Sequence, residues 1–174
     1  MPTDNTSLMI ISNIVYLLMI FTSVIIAVFG SILIIKFLTR QKVNVKEEIV
    51  YNRNIGIAMV LGSFIWTLGR LCFETIKPAM NAWYSGYYAG FSLKSSLKLF
   101  GNLSLSLFIA LLTGAFTIYL AVKILMVLTR DIDEWEEIKN GNYSIALITS
   151  ITIIVIGFFF ESILSTIITS LIVH

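Results

Sequence analysis

Apolar residues run through this chain in four long blocks, 8–38, 55–76, 99–128 and 143–173, with charged or Asn-bearing segments between most of them. Each block reaches the ~20 residues that a helix needs to cross a hydrocarbon core. The pattern predicts an all-α integral membrane protein with four transmembrane helices. The first and third blocks exceed a single span, so they are expected to tilt or to project beyond the bilayer.

The second and fourth blocks have matching entries. Setting 48–69 against 136–157 pairs Glu48 with Glu136, Asn52 with Asn140 and Asn54 with Asn142; Ile57/Ile145, Ala58/Ala146, Ile65/Ile153 and Gly69/Gly157 follow in register. Self-similarity at a fixed offset is the signature of repeated units. It predicts two tandem two-helix repeats in the same orientation, residues 1–98 and 99–174, the first ending in an aromatic outer segment at 78–98. An Asn side chain placed just before a helix accepts backbone N–H bonds of the first turn. Asn52, Asn54, Asn140 and Asn142 are therefore read as helix-entry caps.

Composition sharpens the class. The 174 residues are 57% hydrophobic and 13% charged, whereas soluble domains run at roughly 45–50% and about 25%. A cleaved leader is not expected, because the N-terminal tail carries Asp4 in place of a basic region and the apolar run that follows is about twice too long. The single Cys72 lies inside the second block and is read as a packing residue, with neither a disulfide framework nor a metal spacing.

Charge placement sets the orientation. Lys36, Arg40, Lys42, Lys46 and Arg53 lie in the first connector and Lys123, Arg130 and Lys139 in the second, against Lys77, Lys94 and Lys98 on the other side. The positive-inside rule places both connectors in the cytoplasm and both termini outside. For a bacterial chain this means the inner membrane and a periplasmic position for the termini.

The faces of the blocks carry the candidate chemistry. Ser12, Tyr16, Ser23, Ala27 and Gly30 gather on one face of the first helix, and Asn102, Ser106, Ala110, Thr113 and Thr117 on one face of the third; such faces let helices approach closely in lipid. In the second helix Gly62, Trp66, Arg70 and Glu74 follow at four-residue steps. In the fourth, Glu161 interrupts the apolar run and Ser165 and Thr169 follow it at the same step. An intramembrane Arg at the bilayer centre costs ~2.5–3.5 kcal/mol on insertion scales and requires a partner or water. Arg70 and Glu161 fall at similar depth from the two Asn entries, so they are expected to face each other, within one subunit or between two.

Two segments outside the blocks complete the set. Trp83, Tyr84, Tyr87 and Tyr88 fall on one face of an amphipathic stretch and are read as interfacial anchors in the outer headgroup layer. In the second connector Asp131 and Glu134 have the spacing of an N-terminal capping box. Glu134, Glu136 and Glu137 are candidates for facing a cytosolic partner. Asp131 and Asp133 lack the Gly and the terminal Glu of a calcium loop, so no metal site is read there.

The stretch TRDIDEWEEIKNGNYSIAL at 129–147 resembles the bacterial domain-of-unknown-function 350 family of small four-helix inner-membrane proteins. The resemblance implies two tandem repeats with a Glu- and Asn-bearing lead-in to each second helix, and an inner-membrane location; it implies no activity. This chain departs from it in being rich in Ile, in its aromatic outer segment and in its long helices.

An enzyme is not expected. The sole His is His174, no Ser–His–Asp or Cys–His set exists, no Gly-rich phosphate loop is present, and the connectors are too short to build a pocket. The expectation is a homo-oligomer that forms or gates an ion or proton path through Arg70 and Glu161. The competing expectation is a scaffold or sensor subunit that recruits a cytosolic protein through its connectors. Neither calls for a cofactor or for direct contact with nucleic acid.

Overall fold

The computed structural model describes the backbone of residues 5–88, 93–130 and 132–173. It consists of α1 (Asn5–Leu38), a π-helical turn (Glu47–Tyr51), α2 (Ile55–Tyr88), α3 (Leu93–Leu128), the short α4 (Glu134–Lys139) and α5 (Tyr143–Val173), with no strand among the described residues. Within these, Asn13–Leu38, Ile55–Pro78, Ser104–Leu128 and Tyr143–Ser170 are each long and apolar enough to cross a membrane.

The arrangement follows from which helix has a face worth burying. α1 and α5 are apolar nearly all round, as suits helices surrounded by lipid on most sides. α2 instead carries Ile57, Val60, Phe64, Leu68 and Leu71 at steps of three and four, all essentially inaccessible. Half of the α2 span is buried, against 22% of the α1 and α5 spans. α2 is the central helix. It packs along α1, α3 and α5; α3 also packs on α5, whereas α1 touches α3 lightly.

The small faces are where the helices meet. Ser23, Ala27 and Ser31 of α1 are buried, as are Ser106, Ala110 and Thr117 of α3. A Cβ added at Gly30 would meet Leu68 at 3.3 Å and Leu111 at 3.6 Å, which places this part of α1 against both α2 and α3. Phe21, Phe29 and Phe37 of α1 and Phe158 and Phe159 of α5 point outward.

The outer segment departs from its predicted form. Pro78 does not end the second helix: α2 continues through it to Tyr88, and α3 begins at Leu93. Proline deprives the helix of one N–H and crowds the carbonyl four residues back, yet a long helix embedded among others tolerates it. At 34 and 36 residues, α2 and α3 carry the aromatic stretch at their ends, in place of a separate surface helix. The side chains of Trp83, Tyr84, Tyr87 and Tyr88 lie outside the described residues.

The turn before α5 depends on a glycine. Gly141 has φ +90°, a left-handed conformation that L side chains resist. Gly141→Ala is expected to destabilise the fold by about 1 kcal/mol, read as a lower unfolding midpoint in mild detergent. Arg53 holds the corresponding place before α2 at φ +51°, and there an arginine bears the strain.

Candidate functional site

The candidate site is the seam between α2 and α5, and it begins at the connectors. Asn54 Oδ1 accepts the Ile57 N–H at 3.1 Å, and Asn142 Oδ1 accepts the Ile145 N–H at 3.4 Å. Asn54 and Asn142 are N-terminal caps, as the sequence predicts. The Asn54 carbonyl also accepts from the Ala58 N–H and that of Asn142 from the Ala146 N–H, both at 3.2 Å. Asn52 and Asn140 have a different place. They close the preceding elements: Asn52 is the C-terminal cap of the π-helical turn and Asn140 that of α4, both in near-helical backbone conformations. An Asn with that backbone continues the turn before it and cannot open the helix after it.

Asn54 also reaches across the structure. Its amide donates to the carbonyls of Ile138 at 3.2 Å and Lys139 at 2.9 Å, so the residue that starts α2 also satisfies the end of α4. Beside it the buried Glu48 accepts from Asn52 Nδ2 at 3.2 Å and lies 3.9 Å from Lys139 Nζ. The two connectors are thereby joined in one polar layer beneath the helix starts.

The three glutamates expected to face a partner divide. Glu134 is buried, with its carboxylate on the Thr129 hydroxyl. Glu137 accepts from Asn142 Nδ2 at 2.9 Å. Only Glu136 is exposed. The cap of α4 is Asp133, whose carboxylate accepts the Glu136 N–H at 3.3 Å, in place of the predicted Asp131, which lies outside the described residues. Acidic groups at a helix start favour its positive end, and here two of the three are consumed in holding the connector together.

Above the polar layer, α2 and α5 run side by side in the same direction. A Cβ at Gly56 would meet Ala146 at 3.3 Å, one at Gly157 would meet Thr67 Cγ2 at 2.8 Å, and Arg70 meets Glu161 further along. Each contact lies farther along both helices than the last. Ser63 and Thr67 of α2 and Ser150 of α5 are buried in this seam, and the hydroxyls of Ser63 and Ser150 bond back to carbonyls of their own helices. Thr67 Oγ1 is buried with no protein partner.

Gly157 and Thr67 set how closely the two helices approach. A β-branched Thr has little rotamer freedom to yield, so Gly157→Ala is expected to destabilise by about 1 kcal/mol through overpacking. Thr67→Ser, which removes the Cγ2 methyl, is expected to recover most of that loss. A double-mutant cycle in detergent unfolding checks the coupling.

The charges close the seam. Arg70 Nε donates to Glu161 Oε2 at 3.2 Å and Nη2 donates to Oε1, a two-point pairing of guanidinium and carboxylate. The expected partnership forms within one chain. At 1.5 Å per residue Arg70 stands about 22 Å along α2 from Ile55 and Glu161 about 27 Å along α5 from Tyr143. Both distances fall in the far third of a ~30 Å core. The pair is also open: the Arg70 side chain is 40% exposed and that of Glu161 15%.

Glu74 belongs to a separate pair. It is buried and accepts from Lys77 Nζ at 2.7 Å, one turn farther out on α2. Ser165 is half-buried and Thr169 exposed, and the Thr169 hydroxyl donates to the Ser165 carbonyl at 2.8 Å. Neither touches the Arg70–Glu161 pair through a hydrogen bond. Ser162 and Thr166 are exposed beside them. The C-terminal half of α5 thus presents hydroxyl groups on its exposed face.

No group of His, Cys, Asp or Glu able to hold a metal occurs among the described residues. No protein-family model, curated protein or solved structure matches the chain.

Proposed function

We propose that the chain is a homo-oligomeric multi-pass protein of a bacterial inner membrane, in which the Arg70–Glu161 pair and the outer face of α5 border a polar path for ions or protons between copies. The observation that carries this reading is the openness of the pair. A charge pair that only joined two helices would be best enclosed by them, whereas this arginine side chain is left 40% exposed where lipid would otherwise lie. Ionisable groups at membrane depth face a neighbouring polar surface or water. Ser162, Thr166 and Thr169 extend that polar surface; a hydroxyl that donates back to its own helix still offers oxygen lone pairs outward.

The two-repeat arrangement belongs to the same proposal. It is supported by the parallel course of α2 and α5 and by the matched bonds at Asn54 and Asn142. With both connectors in the cytoplasm and both termini in the periplasm, each pair of helices enters the membrane in the same sense. The grouping with the domain-of-unknown-function 350 family rests on the residues of the two connectors and the first turns of the second and fourth helices.

Voltage-driven flux from proteoliposomes tests the path. The protein is expected to pass small ions or protons, and Glu161→Gln is expected to change that flux without loss of helix content. Absence of flux at every voltage and pH would remove the path from the account.

A second reading is favoured by the connector layer: exposed Asp133 and Glu136 at the start of α4 form an acidic edge on which a cytosolic protein could dock. In that case the chain is a scaffold or sensor subunit. Association with a purified soluble partner, lost on Glu136→Lys, is the expected result for that reading.

A further inference from the structure

Among the described residues the charges beyond the midplane are Arg70, Glu74, Lys77 and Glu161, and both ion pairs they form turn the same way. The side-chain exposures are 40% for Arg70 against 15% for Glu161, and 55% for Lys77 against 9% for Glu74. The carboxylates are held back and the cations are open. Lys77 stands about 33 Å along α2 from Ile55, at the far headgroup level, where any lysine finds lipid phosphates. Arg70 lies inside the core and has no such explanation. The exposed connector charges, Glu47, Asp133 and Glu136 as well as the basic residues, lie at the opposite end of α2.

The polar groups beside Arg70 are donors. Both oxygens of Glu161 are engaged by Nε and Nη2, whereas the two N–H of Nη1 meet no acceptor among the described residues. Trp66 is exposed one turn before Arg70 on the same face of α2, and its indole N–H, which can only donate, forms no hydrogen bond there. On α5, Ser162 and Ser165 lie within a turn of Glu161, and their hydroxyls are not bonded back to their own helix. Thr166, Thr169 and Ser170, which are bonded back and present only oxygen, lie farther along.

We infer that Arg70, with the Trp66 N–H on the same face, forms a site for a small inorganic anion of the size and charge of chloride, and that the path is accordingly anion-selective. The inference rests on the path proposed above. A cation approaching the open side reaches the arginine side chain before the carboxylate, whose oxygens are already answered. An anion reaches N–H groups that hydrocarbon leaves without acceptors at a cost. Water also answers such donors, but the guanidinium charge favours the anion. In a closed oligomer about the membrane normal, each further copy sets another Arg70 at the same depth, and a ring of basic side chains is how a pore favours anions.

Two measurements on the full chain test this. In a planar bilayer under a KCl gradient, the wild-type current is expected to reverse close to the chloride equilibrium potential. Reversal at the potassium potential overturns the inference and leaves the path standing. The second measurement does not depend on flux. Trp66 lies about 17 Å along α2 from Ile55, near the middle of the core, where an aqueous ion reaches it only by a polar route. In proteoliposomes, with the Trp66 emission taken as the difference from Trp66→Phe, iodide is expected to quench about tenfold more efficiently than caesium, the factor that one hydrogen bond to a charged group supplies. Arg70→Gln, which removes the cation and uncovers Glu161, is expected to bring that ratio to one or below. Equal quenching by the two ions in wild type, or a ratio unchanged in Arg70→Gln, overturns the inference. Iodide quenching without any current supports the anion site and removes the path; absence of both removes both. Circular dichroism checks the fold of Arg70→Gln, and the reversal potential of the wild type needs no variant.

Discussion

Glu161→Gln and Arg70→Leu are each expected to destabilise the chain by about 2–3 kcal/mol, and Arg70→Leu/Glu161→Leu to recover most of that loss. Breaking a buried ion pair on one side leaves the other charge without compensation and costs about 3–5 kcal/mol, whereas replacing both members by apolar residues is often neutral or stabilising. The lower figure applies here because Arg70 is partly open and reaches other polar surroundings. Reversible unfolding in a mixed detergent series, with the double-mutant cycle completed, gives the coupling energy directly. The same double variant separates structure from function. If it folds and loses flux, the pair acts in the path; if it folds and keeps flux, the pair serves only to hold α2 against α5.

Asn54→Ala is expected to cost about 2–3 kcal/mol, and Asn142→Ala about 1 kcal/mol, although the two residues occupy matching places in the sequence. Both lose a helix cap worth about 1 kcal/mol. Asn54 additionally loses two bonds to the carbonyls of Ile138 and Lys139, each contributing roughly 0.5–1.5 kcal/mol. Asn142 has only the local carboxylate of Glu137 besides its cap. The difference is checked by comparing the two unfolding midpoints under one set of conditions. Asn54→Asp is an informative third variant: it keeps the capping oxygen but sets a carboxylate oxygen against the Ile138 and Lys139 carbonyls and beside the buried Glu48, so it is expected to cost at least as much as Asn54→Ala.

Why Asn54 and Asn142 differ also shows what the sequence could convey. A cap is a local device, fixed by one polar residue ahead of an apolar run, and both caps were legible for that reason. The bond from Asn54 to α4 joins residues more than eighty positions apart, and nothing in the local pattern signals it. The same division holds elsewhere. Four apolar blocks specify four membrane-length helices because hydrocarbon leaves the backbone few alternatives. Arg70 and Glu161 could be paired from depth alone, because two opposite charges in an apolar setting have few other partners. Their exposure could not be read, since it depends on where α2 and α5 sit among the other helices.

Local rules also misled at particular residues. Pro78 is a helix breaker in water, and its tolerance within α2 depends on surrounding helices that the sequence does not display. The carboxylates of Glu134 and Glu137 have the composition of a solvated acidic face, yet each is held by a residue of its own connector. Thr67 gave no signal before the fold was known. Its role appears only opposite Gly157, where a glycine on one helix meets a β-branched side chain on the other.

The most direct test of the central claim is a cryo-electron microscopy reconstruction of the protein in lipid nanodiscs, from which the number of copies and the surroundings of Arg70 are read together. The account predicts two or more copies meeting along the outer half of α5, with the exposed side of Arg70 and the hydroxyls of Ser162, Thr166 and Thr169 facing a hydrated seam. A single copy with acyl chains packed over the Arg70–Glu161 pair would contradict it.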